Sequence, residues 1–192
     1  FPVSPVSPLY PSELDTAFSA TAFADALAAC ETRPTRTLRL VVNSENAFKV
    51  SVAHQIAATF TTSGIPMEAV SLPWAEYTAA LAAGRFDLYY GEVRLLADWD
   101  VSSLLATGGS LNYGGWSDAQ CNQLLEACRS SAGRETALNA LYRYLREQTP
   151  ILPVCFKTVS ALYESDVLEG LTPTAAEPFY DLNSCVIHLS AG

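Results

Sequence analysis

The sequence predicts an α/β fold with a mostly parallel sheet and helices on both faces. Short apolar runs stand at 38–42, 66–72 and 86–91, and stretches with helical spacing separate them. Each connection is long enough to cross over the sheet. Strands joined in that way pair in parallel, through right-handed connections.

Taken in order, the chain opens with Pro2, Pro5, Pro8 and Pro11, spaced by three. Proline fixes φ and has no N–H to donate, so residues 1–15 read as an extended, polyproline-like connecting segment. Residues 16–192 then make a single lobe. A first helix is expected over 16–30, where Phe23, Ala26, Leu27 and Cys30 form one apolar stripe. Residues 31–36 are a polar linker, and Leu38, Leu40, Val41 and Val42 make the first strand. Asn43, Ser44 and Asn46 bring capping side chains to a second helix at 47–63, with Ala53, Ile56, Ala57 and Phe60 inward. Gly64 stops it. Met67, Val70 and Leu72 alternate in the second strand. Pro73 suits the first turn of a third helix that packs Trp74, Tyr77 and Leu81 before Gly84.

After the third strand comes a loop region, 92–116. Ser117 and Gln120 have the spacing of a capping box, with Ser117 as the cap, opening a helix whose stripe is Cys121, Leu124, Leu125 and Cys128. A further helix runs over 134–148 with Ala137, Leu138, Leu141, Tyr142 and Leu145 inward, and Pro150 ends it. These two helices are expected to cover the sheet. Strands are expected near 151–156 and 158–164.

Composition narrows the function. With 49% hydrophobic and 16% charged residues among 192, the chain buries a core and is not a disordered segment. A net charge of −9 argues against nucleic acid and against a basic membrane-binding surface. No apolar run approaches the ~20 residues a membrane span needs. The five cysteines show no CxxC pair and no metal-ligand spacing. They read as small hydrophobes, with a Cys155–Cys185 bridge as the alternative.

Catalytic signatures are missing from the sequence. There is no G-x-S-x-G elbow, no phosphate loop and no G-x-G-x-x-G, and His54 and His188 are isolated. Neither a catalytic set nor a metal or cofactor is expected. What does stand out is a carboxylate cluster, Glu92, Asp98 and Asp100, interleaved with Arg94 and Trp99. One reading is a solvated loop in which Asp98 or Asp100 caps a short helix at 101–106. The other follows from position, because ligands in open α/β sheets lie beyond the carboxyl ends of the strands. There Glu92, Arg94, Asp98, Trp99, Asp100, Asn112 and Tyr113 would line a cleft. The acids would favour a cationic group such as a peptide amino terminus, and Arg94 a carboxylate.

The order of motifs resembles the C-terminal lobe of family 5 extracellular solute-binding proteins, the oligopeptide, dipeptide and nickel-binding components of ABC importers. It begins with 38–42, Asn43 and Asn46, Ala53 and Ile56, and Gly64 with Ile65. It continues through Leu72, Pro73, Trp74 and Tyr77, then Leu81, Gly84, Phe86 and Asp87. Asp98, Asn112 with Tyr113, Trp116 to Asp118, Leu124, Leu125 and Cys128, Arg134 with Leu141 and Tyr142, and 150–153 complete it, over roughly 20–170.

The resemblance implies a type II periplasmic-binding-protein lobe that captures a small solute, most simply an oligopeptide or dipeptide, and hands it to an ABC permease. Asp98 matches the family residue that pairs with the peptide's amino group. Where family members read Gly-Trp, this chain reads Gly91-Glu92, so Asp100 or Glu92 is an alternative partner. The chain, which opens at Phe1, is then the C-terminal lobe of a larger two-lobe protein whose N-terminal lobe is a partner. That protein would be extracellular or periplasmic and anchored as a lipoprotein, with any signal peptide already removed. Two other readings remain: a small hydrolase using the loop carboxylates, and a receptor-like peptide sensor without a permease.

Overall fold

Leu38–Asn43 (β1) lies at the centre of a three-stranded parallel sheet, between Met67–Leu72 (β2) and Leu88–Tyr90 (β3). The register runs from Leu38 opposite Met67 to Asn43 opposite Leu72, and from Leu40 opposite Leu88 to Val42 opposite Tyr90. A computed structural model of the chain describes every residue except 16–18, 20, 97, 131, 158–159, 165, 175–176 and 189–192.

Alternation along β1 divides the core between the two faces of the sheet. Leu40 and Val42 pack with Met67 against Ala53 and Ala57 of helix Ala47–Thr62 (the second helix, α2). Val41 points the other way, onto Tyr77, Ala80 and Leu81 of Trp74–Ala82 (α3). Helices on both faces and a parallel sheet are thus present. The start of β3 is tied to β1 by Asp87, whose carboxylate takes Arg36 Nη1 at 2.7 Å, Arg36 Nη2 at 2.5 Å and the Arg39 N–H at 2.8 Å.

The helix Ala22–Ala29 (α1) is the remnant of the expected 16–30 element, of which 16–18 and 20 lie outside the described residues. Its stripe is not a buried one: the helix buries no side chain, and Phe23 only leans edge-on against Phe60. Trp74 likewise departs from expectation. It is the first residue of α3 and is 56% exposed.

The helices Ser102–Leu105 (α4), Ala119–Ala127 (α5) and Arg134–Gln148 (α6) build a core of their own instead of a layer over the sheet. Val101, Leu105, Cys121, Leu125, Leu141, Tyr144 and Leu145 form it. Of the predicted α5 stripe, Cys121 and Leu125 are buried, while Leu124 and Cys128 pack at the margin. The α5 cap is Asp118 and not Ser117; the Asp118 carboxylate accepts from the Cys121 N–H at 2.6 Å. In the turn before α5, Gly109 admits no side chain, since a Cβ there would stand 2.5 Å from the Ser103 carbonyl.

The N-terminal segment is turned where an extended conformation was expected. The Ser7 and Tyr10 amides close successive turns onto Ser4 and Ser7 carbonyls, and Ser12–Leu14 is a single 3-10 turn. Val3 and Leu14 are buried against Leu138 and Tyr142 of α6. Proline sets φ but not ψ, so the spacing by three did not dictate an extended course once apolar side chains had a surface to meet.

Neither strand expected near 151–156 and 158–164 occurs among the described residues. Ladder pairing falls later, between Leu168–Glu169 (β4) and Val186–Ile187 (β5), which run antiparallel. Leu152, Val154 and Leu162 are exposed. The Cys155–Cys185 alternative is also set aside: all five cysteines are free, Cys30 and Cys155 exposed and Cys121 buried.

Candidate functional site

The carboxyl ends of β1, β2 and β3 open on one side, and the side chains that follow them form a polar rim. After β1, Asn43 accepts from the Glu45 N–H, and Asn46 caps α2 through the Lys49 N–H at 3.0 Å. Glu45 reaches across to accept from the Trp74 N–H at the start of α3, at 3.1 Å. After β3 comes Glu92. Its Oε2 meets Lys49 Nζ at 2.6 Å and its Oε1 meets Lys157 Nζ at 2.8 Å, so both oxygens are occupied. The hydrogen bonds from Lys157 and Lys49 hold its carboxyl below the usual range. Phe48 and Trp74 stand exposed at the first turns of α2 and α3.

Asp98, Trp99 and Asp100 sit farther along the same loop and line a separate pocket of about 170 Å³ with Leu125, Cys128, Arg129, Arg134 and Leu138. The loop is internally bonded. The Trp99 N–H donates to Leu96 O, and the Asp100 N–H to Asp98 Oδ1 at 3.2 Å. Asp100 Oδ1 accepts from both the amide and the hydroxyl of Ser102. From α6, Arg134 Nη2 donates to the Asp98 carbonyl at 2.9 Å. Burial pushes the Asp100 carboxyl up, but the two Ser102 bonds and the nearby charges of Arg129 and Arg134 outweigh it and leave it lowered.

The predicted site residues therefore fall into several groups. Asp98, Trp99 and Asp100 share one pocket, and Glu92 belongs to the lysine triad. Asn112 is spent on its own turn: its amide donates to the Ala106 and Trp116 carbonyls and accepts from the Trp116 N–H. Tyr113 lies edge-on to Tyr89, with ring centroids 6.0 Å apart. Arg94 is exposed. The α4 N-cap is Val101, with no side-chain cap; Asp100, one residue earlier, accepts from the Ser102 N–H alongside its place at the pocket.

Sequence reasoning missed Lys49, Lys157 and Arg134. Lys49 carried a usable signal, three residues after the Asn46 cap and hence at the carboxyl end of β1. Lys157 carried none, because it fell between the two strands expected near 151–156 and 158–164. Among the described residues no group of three or more His, Cys, Asp or Glu side chains is placed to hold a metal ion. No described helix is long and apolar enough to cross a membrane.

No family model and no curated protein matches the sequence. Solved structures do. The oligopeptide-binding protein AppA from Bacillus subtilis, in complex with a nonapeptide, matches with TM-score 0.67 and 16% identity over 98% of this chain and 42% of its own. The Escherichia coli murein tripeptide binding protein MppA matches with TM-score 0.58 and 20% identity over 77% and 31%. The pheromone receptor PrgZ, whose mode of peptide binding has been described, matches with TM-score 0.52 and 19% identity over 59% and 22%. This chain thus spans less than half the length of each. The likenesses show its fold, a type II periplasmic-binding-protein-like α/β fold.

Proposed function

We propose that the chain is one lobe of a solute-binding protein that captures a small peptide for an ABC importer. The observation that supports this most is Glu92, which follows β3 at the carboxyl end of the parallel sheet with Lys49 and Lys157 against it, where open α/β sheets receive ligands. Asp98 and Asp100 stand farther along, at a pocket beside α5 and α6. The fold likeness to peptide-binding AppA and MppA supports the same reading. Capture works by population shift. A ligand touched by two lobes stabilises only the closed arrangement, and a permease reads the closed shape. The second lobe, a permease, a lipid anchor and an extracellular or periplasmic setting belong to this proposal.

A binding role fits the side chains better than hydrolysis. An acid–base pair needs two carboxyls held apart in pKa at one place. Here Glu92 is neutralised by two lysines, Asp100 is bonded to Ser102, and both carboxyls are held low, so neither is raised to act as an acid. A receptor reading shares the capture step and is favoured by the likeness to PrgZ; permease genes beside the parent gene would decide against it.

The test is native mass spectrometry of the full-length protein to identify co-purified ligand, followed by calorimetry on Asp98→Ala. Loss of a charged partner should weaken binding of that ligand by about 2 kcal/mol or more. Unchanged affinity removes Asp98 as the anchor.

A further inference from the structure

Trp99 has φ of 55°, in the left-handed region, where a bulky side chain is an outlier. Such a residue persists only where its surroundings hold it. Three restraints do so. The indole N–H donates to Ser7 Oγ at 3.0 Å, across 92 residues of sequence. The ring stands edge-on to Phe156, with centroids 5.7 Å apart. It also packs at the margin of the cluster formed by Val3, Leu14, Leu138 and Tyr142. On either side of it, the Asp98 carbonyl is fixed by Arg134, and Asp98 Oδ1 receives the Asp100 N–H.

We infer that Trp99 is a positioning residue and not a ligand contact: it clamps the backbone between Asp98 and Asp100 onto the N-terminal segment and the 151–157 segment, and so sets where the two carboxylates point. The ring is held on two sides by protein, which leaves it a poor platform for a ligand but a firm pivot for its neighbours. One of the two segments it joins lies at the N-terminus of the chain and the other follows α6. Any shift of either segment relative to α6 is passed to the carboxylates through one side chain. This deepens the binding reading above, since the importance of that orientation rests on it.

The test needs no ligand, so its outcome is readable even if peptide capture fails. Hydrogen exchange resolved by NMR on the chain follows the amides of Trp99, Asp100 and Ser102, and a carboxyl titration follows Asp100. Ser7→Ala and Trp99→Phe each delete the same hydrogen bond from opposite ends. Each should speed exchange at those three amides by about fivefold, the loss expected for one bond. Each should also move the Asp100 titration upward. The double variant should do no more than either single, and Ser7→Thr should behave as the parent. Unchanged exchange in Ser7→Ala, acceleration confined to residues 1–14, or an unmoved Asp100 titration would each overturn the inference, by showing that the bond only anchors the N-terminal segment.

Discussion

Asp87→Asn should destabilise the chain near neutral pH and cost almost nothing near pH 2. Hydrogen bonds from Arg36, then from the Arg39 amide, hold the Asp87 carboxyl down to about 2, against 3.8 without them. That difference corresponds to about 2 kcal/mol; because the Arg36 side chain is 66% exposed and screened by solvent, about 1–2 kcal/mol is the expectation. The folded pKa lies below the unfolded one, so the unfolded chain takes up the proton first as pH falls. The contribution is therefore complete above about pH 4 and fades as pH drops towards 2. Melting curves of parent and variant between pH 7 and 2 should differ by about 2–8 °C at the top of this range and converge at the bottom. A gap that stays constant across the series would refute the reasoning, since it would make the loss steric and not electrostatic.

Tyr142→Phe should stabilise the chain by about 1 kcal/mol, because the Tyr142 hydroxyl is buried without a hydrogen-bond partner among the described residues; a lower melting temperature would mean that it has one. Leu105→Ala, 2% exposed in the α4–α6 core, should cost about 2–5 kcal/mol in urea unfolding, and a cost under about 1 would mean that this core is loosely packed. Glu92→Gln leaves Lys49 and Lys157 facing each other uncompensated, so trypsin should cut after Lys157 faster than in the parent. Equal cleavage rates would mean that the triad does not restrain the 151–157 segment.

What was legible in the sequence was the part governed by local periodicity. The β1 to β3 unit followed from alternation and from two helical stripes, and on α6 Leu138, Leu141, Tyr142 and Leu145 were read correctly, while Tyr144 is buried where Ala137 was expected. The errors share a cause, which is that a pattern states what a segment can bury and not whether anything meets it. Ile151, Leu152, Val154 and Phe156 have strand-like composition, yet a strand exists only with a neighbour to bond. None pairs with them among the described residues. The Ser117 and Asp118 choice turned on one residue of register, between two side chains that both cap well. The site was half legible. Strand order told where a loop would emerge, but the lysines on Glu92 and the arginine on Asp98 come from segments 43 and 36 residues away in sequence, or more.

The unpaired thiols have a practical corollary. Cys30, on the residue after α1, and Cys155, in the segment that touches Tyr90, are open to solvent, whereas Cys121 is sealed inside the helical core. A maleimide dye offered briefly would mark these two sulfurs ahead of the half-buried Cys128 and Cys185, and spare Cys121. A donor and acceptor placed there would turn the native chain into its own molecular ruler, reporting how far the α1 end and the tail segment separate as solution conditions change.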